Sequence, residues 1–225
     1  MTDKIRITDL FASVPPQFSA LFDGAEYPWE LLARIGDFTS LLVGRGIEGY
    51  TLMSPGVLVG KNVRIAATAT IEGSAVIGHG TELRPGAYLR GGVLIGEGCV
   101  IGNSTELKNC LIMDRVQVPH YNYVGDSVLG RGAHMGAGAV CSNLKADGKN
   151  VTVRGERAYD TQRRKVGAFL GDGADVGCGC VLSPGTVIGM RTSVYPLTHL
   201  RGVIPEDRIV KSADTIVKRE QTQNK

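Results

Sequence analysis

The chain has 225 residues, enough for one domain with a sizeable core, and 43% of them are hydrophobic, which excludes wholesale disorder. A net charge of +3 is too mild to indicate nucleic acid, and no apolar run approaches the ~18 residues of a membrane span. Glycine stands out at 31 residues, roughly twice its usual share, while aromatics are only 6%; together they point to many tight turns around an aliphatic core.

The opening Met1-Thr-Asp-Lys-Ile-Arg has no apolar signal-peptide core, and the five cysteines are odd in number and lack finger-like spacing. These features predict a reduced, cytoplasmic protein with free thiols. Residues 1–58 read as a helical N-terminal segment. Pro28 suits a first helical turn, and Leu31, Ile35, Phe38 and Leu42 fall on one helix face. Leu10, Phe18, Leu21 and Phe22 mark an earlier helix. The expected role is to cap the open end of the repeat that follows.

From Val59 an aliphatic residue recurs every six positions: Val59, Ile65, Ile71, Ile77, Leu83, Leu89, Ile95, Ile101, Leu107, Met113. The fifth place of each hexad is usually small, as at Ala69, Ala75, Thr81, Ala87, Cys99 and Thr105. The pattern returns at Leu129 and Met135, and again from Leu170 to Leu200, with Cys180 in a small place. A helix repeats near 3.6 and a half-buried strand near 2, so neither explains a period of six. Short strands joined by corners do, three to a coil. The fold class predicted is all-β: a left-handed parallel β-helix of hexapeptide repeats over 59–205, with a short helical N-terminal segment. An excursion at about 150–165, rich in Arg154, Arg157, Arg163, Arg164 and Lys165, breaks the period; 206–225 reads as a polar C-terminal tail.

The residues that depart from the hexad rule are the candidates for chemistry. Arg84, Lys108 and His120 occupy the place after the aliphatic one, where glycine or another small residue is usual. Arg84, Gly102 and His120 are spaced by 18 and should stack along one edge, with Lys108 on a different edge. Pro119 falls in an aliphatic place and Tyr123 in a small one, and the period slips between Val124 and Leu129. Histidine near neutrality suits a general base. Gly136-Ala137-Gly138 forms a small corner where a backbone amide could hold an oxyanion. The pair Cys178 and Cys180 has no nearby third ligand, and the histidine spacings fit no zinc site, so no metal is expected.

The stretches ELRPGAYLRGG at 82–92, GNSTELKNC at 102–110, VPHYNYVGDSVLG at 118–130 and MGAGAVCSN at 135–143 resemble the acetyltransferase domain of the bifunctional glucosamine-1-phosphate acetyltransferase and N-acetylglucosamine-1-phosphate uridyltransferase family. DTQRRKVGAFLGDG at 160–173 and LSPGTVIG at 182–189 resemble the C-terminal domains of related sugar-1-phosphate nucleotidylyltransferases. The resemblance covers roughly 55–205. It implies that His120 is the catalytic base and that Arg84 and Lys108 bind a sugar phosphate. Tyr123, His134, Asn143 and Lys149 fall on substrate-binding places, and Ala137 and Cys178 lie on the acetyl-CoA side. His134 stands where the family has an asparagine, Leu144 where it has an aromatic residue, and Cys178 where it has a serine. The resemblance further implies a homotrimer with its site between subunits, acetyl-CoA as co-substrate, and acetyl transfer to the amine of an amino-sugar 1-phosphate. Residues 1–58 are too short for a nucleotidylyltransferase domain, so uridylyl transfer and its magnesium are not carried over. No nucleic acid and no membrane are expected as partners. The alternative is a non-catalytic hexapeptide trimer that binds a sugar phosphate or a partner nucleotidylyltransferase.

Overall fold

The structure is a computed structural model, and it describes residues 3–220. From Thr51 onward nearly every regular element is a short strand, and most pair in parallel with the strand one coil away. Leu58 pairs with Val76, Val76 with Leu94 and Leu94 with Leu111, steps of 17 or 18 residues. This is the expected left-handed parallel β-helix.

The coils build three flat faces. The first carries the strands Glu82–Leu83, Val100–Asn103, Gln117–His120, His134–Met135 and Asp175–Val176. The second carries Thr70–Glu72, the first halves of Tyr88–Ile95 and Glu106–Ile112, then Tyr123–Gly125, Val140–Cys141 and Val181–Leu182. The third carries Ala75–Ile77, the second halves of the two long strands, Val128–Leu129, Ala168–Leu170 and Thr186–Ile188. Inward residues of all three form one core, from Ala75 and Ile77 to Leu200 and Val210.

The third face differs from the others in being apolar on both sides. Its strands are apolar triplets such as Val93-Leu94-Ile95 and Ala168-Phe169-Leu170, the pattern of a strand buried on both faces. Their middle residues, Val76, Leu94, Leu111, Val128, Phe169 and Val187, pack against Leu31, Leu32, Ile35 and Leu42 of the N-terminal segment. That segment holds the helices Ile7–Leu10, Pro28–Leu31 and Ile35–Arg45 and a 3₁₀ helix, Pro16–Phe22. Where the sequence predicts a cap over the open end, the segment lies along this flank, because the apolar area that needs cover is there. The strand next to the first coil is Thr51–Ser54, antiparallel to Val57–Val59.

The hexad register shifts earlier than its spacing indicates. After Leu107 the inward residue is Ile112, and Met113 turns outward under the N-terminal segment. After Val118 comes Val124, then Leu129, so there are two five-residue steps. Each sits at the corner between the second and third faces. One coil earlier, Gly91 and Gly92 turn this corner with φ 58° and 63°; Asn109 and Asp126 each turn it alone with φ 47°. Asn and Asp tolerate the left-handed region best among non-glycine residues. Val118, not Pro119, therefore points inward, and Asn122, not Tyr123, fills the small place, where it is 3% exposed.

The excursion begins earlier than 150. The chain leaves the coil after Asn143 and returns at Val166, whose amide donates to the Asn143 carbonyl at 3.0 Å. Within it Thr152–Arg154 and Ala158–Asp160 form an antiparallel hairpin. Val151 and Val153 are buried with the N-terminal segment, and Tyr159 donates to Asp3 at 3.1 Å. The segment predicted as a polar tail is ordered in its first part. Arg208–Ser212 adds to the first face and pairs with Thr215–Lys218, because Val210 continues the inward column. Residues 221–225 of that tail lie outside the described residues.

Candidate active site

Two edges of the β-helix bound the second face, and the sequence-predicted residues divide between them. On the edge between the first and second faces, successive coils contribute Pro85, Asn103, His120, Ala137 and Cys178. Their carbonyls accept in turn from Ser104, Tyr121, Gly138, Gly179 and Leu197, at 2.8–3.3 Å. His120 lies opposite Asn103, and Pro119 opposite Gly102. The expected stack of Arg84, Gly102 and His120 is thus displaced by one residue, as the shortened corner requires. Arg84 lies two coils away, its Nε 3.5 Å from Glu82.

His120 is exposed, and its imidazole has no hydrogen-bond partner among the described residues. Its backbone is nonetheless held. Asn122 Oδ1 accepts from the His120 backbone amide at 3.1 Å, while Asn122 Nδ2 donates to the carbonyls of Gly136 and Ala139 at 2.7 and 3.1 Å. One buried amide therefore ties the His120 loop to the Ala137 corner. The amides on either side of Ala137, those of Gly136 and Gly138, are spent on Val176 and His120 carbonyls. The Ala137 amide has no backbone acceptor among the described residues and lies at the exposed tip of the corner.

The other edge, between the second and third faces, gathers Lys108, Tyr123 and Asn143 around a residue to which sequence reasoning gave no role. Asp126 is 2% exposed. Its carboxylate accepts from Lys108 Nζ at 3.1 and 3.0 Å, from Asn109 Nδ2 at 2.8 Å and from Asn143 Nδ2 at 2.6 Å. Asn143 Nδ2 also reaches the Tyr123 hydroxyl at 3.1 Å, which leaves Asn143 Oδ1 as its free acceptor. Burial foremost, with the charges of Glu106 and Asp126 adding, raises the Tyr123 pKa, so the phenol stays protonated near neutrality. The available signal for Asp126 was the Gly-Asp pair closing the motif around His120, which falls on the shortened corner.

Three predicted residues lie apart from both clusters. His134 is on the first face, its Nδ1 2.7 Å from the Asp175 carboxylate of the next coil. Lys149 is exposed in the excursion, its amide donating to Asp147 at 3.0 Å. Arg84 lies beside Glu82, two coils before His120. Within one chain the His120 and Asp126 edges are separated by the strand Tyr123–Gly125 and the turn before it, on the order of 10–15 Å. Among the described residues no three His, Cys, Asp or Glu side chains converge as a metal site would require.

Residues 71–162 match the GMPPB C-terminal domain family. The middle of the chain resembles the C-terminal β-helix of sugar-1-phosphate nucleotidylyltransferases. A bifunctional sugar-1-phosphate nucleotidylyltransferase/acetyltransferase of Sulfurisphaera tokodaii is 40% identical over 95 residues, 41% of this chain and 23% of that protein. The bifunctional protein GlmU of Methanococcus aeolicus is 31% identical over 115 residues, 51% of this chain and 28% of that protein. This chain thus spans about a quarter of the length of these relatives. Among solved structures, the N-acyltransferase AntD of Bacillus cereus aligns over 78% of this chain and 93% of its own, at 18% identity and a TM-score of 0.45. Perosamine N-acetyltransferase of Caulobacter crescentus aligns over 65% and 51%, at 18% identity and a TM-score of 0.41.

Proposed function

We propose that this chain transfers an acetyl group from acetyl-CoA to the amine of an amino-sugar 1-phosphate, with His120 as general base. The observation that carries the reading is the order along one edge: an imidazole at His120 and a backbone amide at Ala137 one coil on, both without a partner among the described residues, and Cys178 one coil further. A base and an oxyanion donor on adjacent coils stand about 5 Å apart along the axis, close enough to serve the two ends of one acyl transfer.

The amine attacks the thioester carbonyl, and His120 takes the proton that the nitrogen sheds. The carbonyl oxygen gains charge and accepts from the Ala137 amide. When the tetrahedral intermediate collapses, the C–S bond breaks and the proton passes from His120 to the coenzyme A sulfur. A carbon–nitrogen bond has replaced a carbon–sulfur bond, and no covalent enzyme intermediate is needed. Lys108 holds the sugar phosphate as a point charge, and Arg84 adds a planar fork. Asn143 Oδ1 accepts from a sugar hydroxyl. His134 and Lys149 complete the acceptor site.

Because the His120 and Asp126 edges bound one face, a homotrimer that packs these faces sets Lys108 of one copy against His120 of the next; a heterologous contact of this kind closes as a ring. Static light scattering should report three chains. Thiol release from acetyl-CoA, screened against glucosamine 1-phosphate and its isomers, tests the reaction. Turnover with an amino-sugar phosphate and none with the non-aminated sugar is the expected result. No thiol release with any amine acceptor, from a folded trimer, sinks the assignment.

A further inference from the structure

The reaction proposed above gives no part to Asn109 or to the N-terminal segment, and the structure joins the two. Asn109 turns the corner between the second and third faces with φ 47°. Its Nδ2 carries two hydrogens, and both find acceptors: the Leu32 carbonyl at 3.2 Å and the Asp126 carboxylate at 2.8 Å. Only the amide nitrogen can serve both, because a carbonyl and an ionised carboxylate accept and do not donate. Glycine would turn this corner without strain, as Gly91 and Gly92 do one coil earlier. What asparagine adds is the pair of donors.

The segment is seated firmly at this corner. A Cβ at Gly92 would stand 2.9 Å from Gly36 Cα, so the helix Ile35–Arg45 rests directly on the chain one coil before Asn109. The Leu32 side chain is buried in the same cluster as Leu111, two residues after Asn109. Its turn is stapled from behind by Arg34, whose Nη1 donates to the Asp23 carbonyl at 2.7 Å. The Leu32 carbonyl is therefore a fixed point. From it the contacts run to Asn109, then to Asp126, then to Lys108 Nζ at 3.1 and 3.0 Å, and the last two links are charge-assisted.

We propose that Asn109 is a positioning residue through which the N-terminal segment aims Lys108. This rests on the acetyl-transfer reading, in which Lys108 holds the sugar phosphate. Asn109 grips the Asp126 carboxylate from the Leu32 side and Asn143 grips it from the next coil, so it stands in one orientation and Lys108 stands with it. Without the Asn109 donors the carboxylate turns toward Asn143, and the ordering of Lys108 falls on the binding step. The chemistry at His120, on the other edge, is untouched.

Asn109→Gly keeps the corner and removes both donors. In steady-state kinetics its KM for glucosamine 1-phosphate should rise roughly two- to thirtyfold, while kcat and the KM for acetyl-CoA stay as in wild type. Asn109→Asp sets a second carboxylate beside Asp126, and such a pair comes to share a proton as pH falls. The shared proton restores one donor to the Asp126 carboxylate. The raised KM of Asn109→Asp should thus return toward wild type on acidification, each variant being compared with wild type at the same pH, and that of Asn109→Gly should not. A corner that served folding alone would move the melting temperature and give no such rescue. A wild-type KM in Asn109→Gly overturns the proposal, and so does a fall in kcat with KM unchanged or an equal response of both variants to pH. Reductive methylation with formaldehyde and borohydride, read at Lys108 by peptide mass spectrometry, needs no turnover. Faster methylation in Asn109→Gly from a chain that transfers no acetyl group retains the positioning role and fails only the proposed reaction; an equal rate in that chain fails both.

Discussion

At one edge of the second face Asp126 is sealed from water and holds Lys108, Asn109 and Asn143 through contacts of 2.6–3.1 Å. At the other edge the His120 imidazole stands in solvent with no partner among the described residues, although its backbone is pinned by Asn122. The difference is between a group set in place before anything binds and a group left free to exchange a proton. A lysine that grips phosphate gains from being aimed in advance, since the ordering cost is met on folding. A general base gains from keeping its nitrogen unengaged.

The largest test of this contrast is His120→Ala. Removal of a general base costs ~10²–10⁴-fold in turnover, with amino-sugar phosphate affinity retained through Lys108. His134→Ala, whose imidazole is bound to Asp175, should alter sugar affinity and keep turnover within a few-fold; the reverse pattern in steady-state kinetics assigns the base to the wrong histidine. Next in size is Asp126→Asn. It removes the charge that Lys108 faces and sets an amide against two amide donors, Asn109 and Asn143. Hydrogen bonds to charged groups are each worth about 1.5–3 kcal/mol, so urea unfolding should show a loss of that order, with a raised sugar KM and little change in kcat. A variant as stable as wild type, with its KM unchanged, would mean that Asp126 aims nothing.

Two smaller effects follow from burial. Burial pushes the Cys99 and Cys141 thiols up to about 12, and it raises Cys110 and Cys180 as well, whereas Cys178 is exposed on the His120 edge. A disulfide reagent at pH 8 should label one thiol of the native protein quickly and five after denaturation. Coenzyme A should slow the fast reaction if the donor runs along that edge. The smallest effect is alkaline. Burial pushes the Tyr50 phenol up to about 12 and raises Tyr123. An unfolded tyrosine ionises near 10, so the unfolded chain sheds these protons first. Stability should hold below about pH 10 and fall as pH climbs toward 12, as chemical denaturation across that range will show.

The sequence was informative wherever period and packing agreed. A spacing of six recovers the β-helix, because every inward residue from Ile65 to Leu107 obeys it. Reading fails at Asn109, since Ile112 and Met113 are both apolar, as are Val118 and Pro119, and either register makes an acceptable core. Only the corner's backbone distinguishes them: Asn109 and Asp126 do singly what Gly91-Gly92 does as a pair. The same one-residue shift hides Asn122, which stands next to the better candidate Tyr123. The apolar triplets of the third face were legible as doubly buried strands, but a search tuned to one inward residue in six passes over their outward members. The division of site residues between two edges was readable from their spacing; the hub at Asp126 was not, because its contacts come from three successive coils.

The excursion also divides the chain kinetically. Neighbouring coils elsewhere close loops of 16 to 18 residues, but Val140 meets Val181 across 41. Closing the longer loop costs about 0.7 kcal/mol more by chain entropy alone. In a stack where each coil rests only on its neighbours, that step is a seam: structure nucleated in the coils before Cys141 propagates freely to the Asp126 level and then pauses. The Ala137 corner and the Cys178 corner lie on opposite sides of it, so the edge carrying His120 is completed only when the two halves zip together.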